Sequence, residues 1–293
     1  REILDMSLVI FSHGNSFPAS TYRSVFRSLR ARGHAVRAVE KFGHNPQYPV
    51  SNNWPHLIEQ LANFADAEAP RHEGPLYLVG HSLGGFLSLM CAAKHPQLGG
   101  KKVQGVVLLD SPLLGGWRAR TLALAKKTPW IGSLSPGRVS QRRRYRWPDV
   151  DAVRVHFRHK RAFMHWHPQA LEDYVQHGTH DDVDSQGRPC RTLSFDREIE
   201  THIYNTLPHN LGRWLRKYPL QCEVAFIAGT RSREMRQVGL TMTRKVVGTG
   251  HPDRIRYIEG SHLFPMERPE ETAAQLDELL KSLAMPLMPM IPR

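Results

Sequence analysis

The six residues GHSLGG at Gly80–Gly85 lie between two segments of different character. The apolar run Pro75–Gly80 predicts a buried strand, and Leu83–Lys94 predicts a helix. A GxSxG motif at such a junction holds its serine hydroxyl clear of the sheet on a sharp turn, and its outer glycines let neighbouring backbones approach closely. The motif therefore makes Ser82 a candidate nucleophile, with the N-terminal N–H groups of the next helix directed at a developing oxyanion.

Strand and helix signals alternate on both sides of this motif. Strands are predicted at Ser7–Ser12, Ala35–Val39 and Val103–Leu109, and helices at Thr21–Arg32 and Trp54–Glu68. Such alternation is typical of parallel strands joined by crossover helices, which cover both faces of the sheet. We therefore predict an α/β fold with a doubly wound, mainly parallel sheet.

The alternation stops at Ser111 and resumes at Cys222–Ala228, the next run that predicts a strand. We expect residues 1–111 and 219–293 to form the sheet core, and residues 112–218 to form an inserted helical lid over the carboxyl edge of the sheet. The lid's helical patterns lie at Arg118–Lys127, Asp149–Arg161, Pro168–Gln176 and Arg197–Thr206.

A last predicted strand, Arg254–Glu259, leads into Gly260-Ser261-His262, and the final helix is predicted at Pro269–Leu283. The carboxyl ends of parallel strands meet at one edge of the sheet, so His262 is the histidine expected to meet Ser82 as general base. His81 also neighbours Ser82, but its side chain is expected to point elsewhere.

Three motifs together resemble the α/β-hydrolase family, in particular its lidded serine esterases and lipases, over nearly the whole chain except the lid. HGNSFP at His13–Pro18 follows the first strand as the family's HG loop does, and Ser82 and His262 follow in the family's order. The resemblance implies an oxyanion hole formed by the backbone N–H groups of Asn15 and Leu83. It also implies a cofactor-free serine hydrolase that cleaves a small-molecule carboxylic ester through an acyl-enzyme.

The third catalytic residue is where the sequence departs from the family. The family places an Asp in a Gly-x-x-Asp turn after the penultimate strand, whereas Gly229–Glu234 reads GTRSRE. Two carboxylates could orient His262: Glu234, two positions later, or Asp110, at the end of an earlier strand, a site that some relatives use. Glu234 is preferred, because it follows the strand that the family uses most and its extra methylene can offset its displacement. Asp110 stays open.

No metal ion or other cofactor is expected. His165 and His167 flank Trp166, but no third ligand is evident near them in the sequence. Asp182–Gly187 resembles the opening of a calcium loop, yet its twelfth position is Leu193, which cannot supply the bidentate carboxylate. We interpret this run as a turn.

The chain has 40 Lys and Arg against 27 Asp and Glu, a net charge of +13. Part of this excess lies in Arg138–Arg146, which contains five arginines next to Tyr145 and Trp147. This composition suits an anionic partner, but no nucleic-acid motif accompanies it, so we interpret it as a solvated face of the insert and expect no nucleic-acid partner. The aromatic residues and arginines of the lid favour an apolar acyl group with an acidic end.

Simple sequence patterns bear on membrane association and on the cellular compartment. No run of about eighteen apolar residues occurs, so no stable membrane insertion is expected, and Arg1–Asp5 does not resemble a signal peptide. Because Arg1 is not a native start residue, we expect the chain to have been cut or processed. Cys91, Cys190 and Cys222 are widely spaced without a CxxC motif, which indicates a reducing, cytoplasmic setting.

Several activities remain open beside the carboxylesterase. Thioesterases, lipases, amidases and carbon–carbon hydrolases use the same residues, and the lid would choose among them. A serine at position 82 excludes the ester-forming aspartate of dehalogenases and epoxide hydrolases. A non-catalytic ligand-binding member of the fold is favoured only by the missing Asp, and a nucleic-acid binder would lose affinity steeply with salt.

Overall fold

A seven-stranded, mainly parallel sheet lies at the centre of the computed structural model, which describes residues 7–115 and 141–284. Within these residues the strands are β1 (Leu8–Ser12), β2 (Ala35–Ala38), β3 (Leu76–His81), β4 (Gln97–Leu98), β5 (Lys101–Leu109), β6 (Arg146–Trp147), β7 (Thr179–Val183), β8 (Pro189–Leu193), β9 (Glu223–Gly229) and β10 (Ile255–Ile258). The central sheet has the parallel order β10–β9–β5–β3–β1–β2, with β4 antiparallel on β5. The predicted α/β fold is confirmed.

Most helices in the described part of the chain begin and end close to the predicted residues. They are α1 (Arg23–Ala31), α2 (Pro55–Glu68), α3 (Leu83–Lys94), α4 (Val150–Arg158), α5 (Pro168–His177), α6 (Arg197–Asn205), α7 (Leu211–Lys217), α8 (Arg233–Val238), α9 (Thr241–Val247), α10 (Phe264–Glu267) and α11 (Pro269–Ala284). The sequence pattern does not predict the short helices α7 to α10. The helix predicted at Arg118–Lys127 lies outside the described residues.

Helices cover both faces of the sheet, so the inner strands are apolar on both sides. In β1, Leu8 and Ile10 join one hydrophobic cluster with α2 and α3, while Val9 and Phe11 join a second cluster with α1 and α11. This alternation follows from the two-residue period of a strand. Burying each such side chain contributes roughly 1.5–3 kcal/mol.

Because β1, β3, β5, β9 and β10 are parallel, the residues that follow them gather at one edge of the sheet. His13 follows β1, Ser82 follows β3 and Asp110 follows β5. The loops after β9 and β10 carry Glu234 and His262 to the same edge. Polar side chains that are far apart in the sequence therefore meet there.

The chain between β5 and β9, residues 112–218, is here called the intervening segment. Its described part contains α4 to α7 and also a three-stranded antiparallel sheet in the order β6–β8–β7. The predicted helical patterns are therefore accompanied by a small sheet that the sequence did not predict. The turn predicted at Asp182–Gly187 is present and joins β7 to β8, with the Gly187 N–H donating to the Asp184 carbonyl at 2.9 Å.

Among the described residues, no helix is both long enough and apolar enough to cross a lipid bilayer.

Candidate active site

Ser82 lies at a sharp turn between β3 and α3. Its backbone has φ 53° and ψ −114°, a left-handed conformation that is disfavoured for residues with a side chain. Two glycines make the turn possible, since a Cβ added at Gly80 would lie 2.0 Å from the Gly84 carbonyl oxygen, and one added at Gly84 would lie 1.9 Å from that of Ser12. The Ser82 N–H also donates to the Leu109 carbonyl at 2.9 Å, which ties the turn to β5.

His262 reaches Ser82 from the loop after β10. Its Nε2 atom lies 3.0 Å from Ser82 Oγ, and its side chain is 17% exposed. The two residues therefore lie within hydrogen-bonding distance at the carboxyl edge of the sheet, where the sequence analysis expected them.

Asp110 lies directly after β5 and contacts the other nitrogen of His262. Its Oδ2 atom lies 2.6 Å from His262 Nδ1, and its side chain is fully buried. Asp110 also accepts from the Gly229 N–H at 2.7 Å and from the Ser232 hydroxyl at 2.5 Å. Because a carboxylate only accepts, the Nδ1 proton belongs to His262, which leaves Nε2 free to accept the Ser82 proton.

Glu234, the preferred acid on sequence grounds, is farther from His262. Its nearest oxygen lies 4.0 Å from His262 Nδ1, and its side chain is 45% exposed in the first turn of α8. The geometry therefore reverses the preference between the two carboxylates. The physical reason is that β5 lies beside β3, so Asp110 at its end faces the histidine. Glu234 lies beyond the turn after β9, in the first turn of α8, and is therefore farther from the histidine.

The residue at the family's Asp position is Ser232, the fourth residue of the Gly229-Thr230-Arg231-Ser232 turn. Its hydroxyl donates to Asp110, and its oxygen accepts from the Met235 N–H at 3.1 Å as the N-cap of α8. Sequence reasoning missed Ser232, although its place in the turn was a signal that could have found it.

The charges around His262 change its basicity. Burial alone would lower the pKa of His262, but the hydrogen bond to Asp110 and the negative charges of Asp110 and Glu234 outweigh burial. The pKa of His262 therefore lies above its ordinary value. A more basic imidazole is a stronger acceptor for the hydroxyl proton of Ser82.

The HG loop, His13–Pro18, lies beside this chain of hydrogen bonds. Within the described residues, neither the Asn15 N–H nor the Leu83 N–H has a hydrogen-bond acceptor. His13 stabilises the loop through two hydrogen bonds. Its Nε2 accepts from the Phe42 N–H at 2.9 Å, and its Nδ1 donates to the Gly14 carbonyl at 2.8 Å. Burial lowers the pKa of His13 to about 4, which keeps the ring neutral.

His81 connects three parts of the site. Its ring lies between the Tyr22 hydroxyl at 2.7 Å and the His262 carbonyl at 2.8 Å. Tyr22 in turn accepts from the Gly14 N–H at 3.0 Å. A carbonyl cannot donate and a backbone N–H cannot accept, which fixes the direction of each hydrogen bond. The Gly14 N–H donates to the Tyr22 hydroxyl, the Tyr22 hydroxyl donates to His81 Nδ1, and His81 Nε2 donates to the His262 carbonyl.

Burial and the nearby His262 lower the pKa of His81 to about 3, consistent with this neutral form. Sequence patterns could not predict the contact between Tyr22 and His81, because the two residues lie 59 positions apart in the chain.

Two further residues missed by sequence reasoning hold the HG loop from the intervening segment. Glu200 on α6 accepts from the Ser16 hydroxyl with its carboxylate and from Asn15 Nδ2 with its backbone carbonyl at 3.0 Å. Arg143 donates to Glu200 at 2.8 Å. Arg143 belongs to the arginine run interpreted as a solvated face; it points inward, while Arg142 is exposed.

Asp110, Glu234 and His262 also form a group of potential metal ligands, with ligand atoms within 4.8 Å of one another. Hydrogen bonds already account for the close contact between His262 Nδ1 and Asp110. His167 serves a structural purpose, since its Nδ1 accepts from the Gln169 N–H at the start of α5 at 3.2 Å. Nothing in these arrangements requires a metal ion.

A parallel sheet that presents a serine at a strand-to-helix turn, beside a histidine after its last strand, defines the class of α/β hydrolases. The sequence profile of the alpha/beta hydrolase family matches residues 9–275, and the chain belongs to this family.

Among individual proteins, a pyrethroid hydrolase from Sphingobium wenxiniae is 33% identical over 105 residues, which are 36% of this chain and 36% of that protein. The match thus spans about a third of the relative's length. The peroxisomal alpha-beta-hydrolase Lpx1 from Saccharomyces cerevisiae has a TM-score of 0.69 at 16% identity, covering 98% of this chain and 80% of that one. A carboxylesterase structure from Nitrososphaera gargenis has a TM-score of 0.60 at 19% identity, covering 96% and 91%. These two structural similarities establish the fold alone.

Proposed function

We propose that the protein is a serine hydrolase that cleaves a small-molecule carboxylic ester, with Ser82 as nucleophile, His262 as general base and Asp110 as the orienting acid. The observation that carries this proposal is the continuous chain of hydrogen bonds from Ser82 Oγ through His262 to Asp110, with distances of 3.0 and 2.6 Å. Nucleophile, base and orienting group within hydrogen-bonding reach are the requirement for such catalysis.

The mechanism follows from these contacts. His262 Nε2 takes the hydroxyl proton as Ser82 Oγ forms a bond to the ester carbonyl carbon. The Asn15 and Leu83 N–H groups, which have no acceptor in the described structure, are free to stabilise the resulting oxyanion. Protonated His262 then gives its proton to the departing alcohol as the carbon–oxygen bond breaks, which leaves an acyl-enzyme. Water, activated by His262 in the same way, releases the acid and restores Ser82.

The proposal that the substrate is a carboxylic ester rests on similarity to known proteins. The relative that matches over about a third of its length is named a pyrethroid hydrolase, and a structural relative is a carboxylesterase. A set of substrates with one acyl group and an oxygen-ester, thioester or amide leaving group tests this choice. We expect the highest kcat/KM for the oxygen ester, and a higher value for the thioester or the amide would reassign the class.

The test of the nucleophile compares Ser82→Ala with wild type. We expect wild type to hydrolyse a short-chain activated ester and to be labelled at Ser82 by a fluorophosphonate, and Ser82→Ala to lose both properties without unfolding. Ser88→Ala is a matched control, because Ser88 is a buried serine on α3 whose hydroxyl has no partner in the described structure. Absence of labelling in the wild type would instead favour a non-catalytic ligand-binding member of the fold.

A further inference from the structure

Consecutive residues of the HG loop contact the intervening segment. Asn15 Nδ2 donates to the Glu200 backbone carbonyl, the Ser16 hydroxyl donates to the Glu200 carboxylate, and the Phe17 ring packs against Trp166 with 5.6 Å between ring centroids. The segment therefore holds this loop through both polar and aromatic contacts.

The Glu200 carboxylate is buried, with its side chain 5% exposed, and both of its oxygens are bonded. One accepts from Ser16, and the other accepts from Arg143 Nη1 at 2.8 Å. Arg143 Nη2 donates to the Tyr174 hydroxyl at 2.9 Å, and the Tyr174 ring packs on Phe17 at 5.6 Å. These contacts close a ring that begins and ends in the HG loop.

The backbone of the HG loop depends on such restraint. Ser16 has φ 82°, in the left-handed region that residues with a side chain rarely adopt. A conformation of this kind persists when surrounding contacts hold it. The Asn15 N–H, one of the two proposed oxyanion donors, lies one residue away from this position, so a shift of Ser16 would move it.

We propose that Glu200, held by Arg143, is a positioning residue that fixes the Asn15 N–H where the oxyanion forms. This inference rests on the proposed function. The planar guanidinium of Arg143 offers two N–H groups in a fixed fork, so it restrains Glu200 and Tyr174 together. Removing one partner of a buried ion pair leaves an uncompensated charge, and the loop is then expected to rearrange around it.

The principal variant is Glu200→Gln, with Glu172→Gln as a matched control. Glu172 accepts from Arg154 at 2.8 Å, the same distance, but its side chain is 37% exposed and the pair joins α4 and α5 within the segment, away from the HG loop. We expect Glu200→Gln to lower kcat on an activated ester by about 10- to 100-fold, because small misplacements in an active site have effects of that size. KM should change by less than about threefold, because the oxyanion contact acts on the transition state. Glu172→Gln should keep the wild-type kcat.

A second measurement is independent of turnover. Hydrogen–deuterium exchange of the peptide that contains the HG loop should be faster in Glu200→Gln than in wild type and in Glu172→Gln. If Glu200→Gln changes neither kcat nor loop exchange more than Glu172→Gln does, the positioning role is wrong.

If wild type hydrolyses no ester, the proposed function fails by itself, and loop exchange still decides whether Glu200 restrains the loop. If Glu200→Gln does not fold, Tyr174→Phe removes only the hydroxyl that Arg143 binds and keeps the ring on Phe17. A smaller loss of kcat with faster loop exchange in that variant supports the proposal, and wild-type values for both overturn it.

Discussion

The two halves of the site are held by different parts of the molecule. Ser82, Asp110 and His262 follow β3, β5 and β10 of the sheet, so the buried core fixes the distances among them. The HG loop follows β1, but its Asn15, Ser16 and Phe17 side chains are held by the intervening segment, through Glu200 and a group of aromatic rings. The comparison indicates that the Ser82–His262–Asp110 group, with the adjacent Leu83 N–H, and the Asn15 N–H of the HG loop are restrained separately. Changes in the first half should remove turnover, and changes in the second should reduce it.

The largest effect is expected from Asp110→Asn, which keeps the shape of the side chain but offers His262 Nδ1 the wrong partner. We expect kcat to fall by about 10⁴, as for other changes that leave the histidine in the wrong tautomer. Glu234→Gln should keep most of the wild-type kcat, because Glu234 lies 4.0 Å from the ring and is partly exposed. Steady-state kinetics of both variants decide between the carboxylates. If both keep more than about a tenth of wild-type turnover, another acid or a Ser–His dyad must replace Asp110.

A smaller effect is expected where the two halves are joined, at Tyr22. Tyr22→Phe removes the hydroxyl between the Gly14 N–H and His81, so two buried polar groups lose their partner. We expect the free energy of unfolding in urea to fall by about 1–3 kcal/mol. Tyr77→Phe is the control, because Tyr77 is buried on β3 and its hydroxyl makes no hydrogen bond within the described residues. Equal losses in the two variants would show that the Tyr22 contacts add nothing to stability.

The smallest effect concerns the pH dependence. His262 must be neutral to accept the Ser82 proton, so kcat/KM should fall as the pH falls through an apparent pKa above the ordinary histidine value of 6.5. The charge of Glu234 helps to raise this pKa, although Asp110 contributes more. Glu234→Gln should therefore move the inflection to lower pH, with the plateau kept. A pH–rate profile with an unmoved inflection would show that Glu234 does not act on His262.

Local chemistry explains why Ser82 and His262 could be located from the sequence. The glycines that allow the turn at Ser82 adjoin it in the chain, and His262 follows the last predicted strand directly. No local sequence pattern indicates the order of the strands across the sheet. Asp110 and Glu234 both follow strands, and only the position of β5 between β3 and β9 brings Asp110 against the histidine.

The contacts of the intervening segment could not be predicted in the same way. Ser16 and Glu200 are 184 positions apart, and Arg143 lies in a run of arginines whose neighbours are exposed. The hairpin of β7 and β8 was missed because Thr179–Val183 reads THDDV, which has no apolar face and few residues that favour strands.

Ser232 has an evolutionary consequence. The hydroxyl of Ser232 stands where the family carries its acid, and it already contacts Asp110 at 2.5 Å. The two positions are therefore neighbours across one hydrogen bond, and an acid can move between strands by two substitutions. If Asp110 orients His262 as proposed, a lineage that gains Ser232→Asp first passes through two adjacent carboxylates that repel each other, whereas one that loses Asp110 first passes through a histidine without its orienting carboxylate. The order of substitutions, rather than their number, would decide whether lineages with the acid on either strand can interconvert.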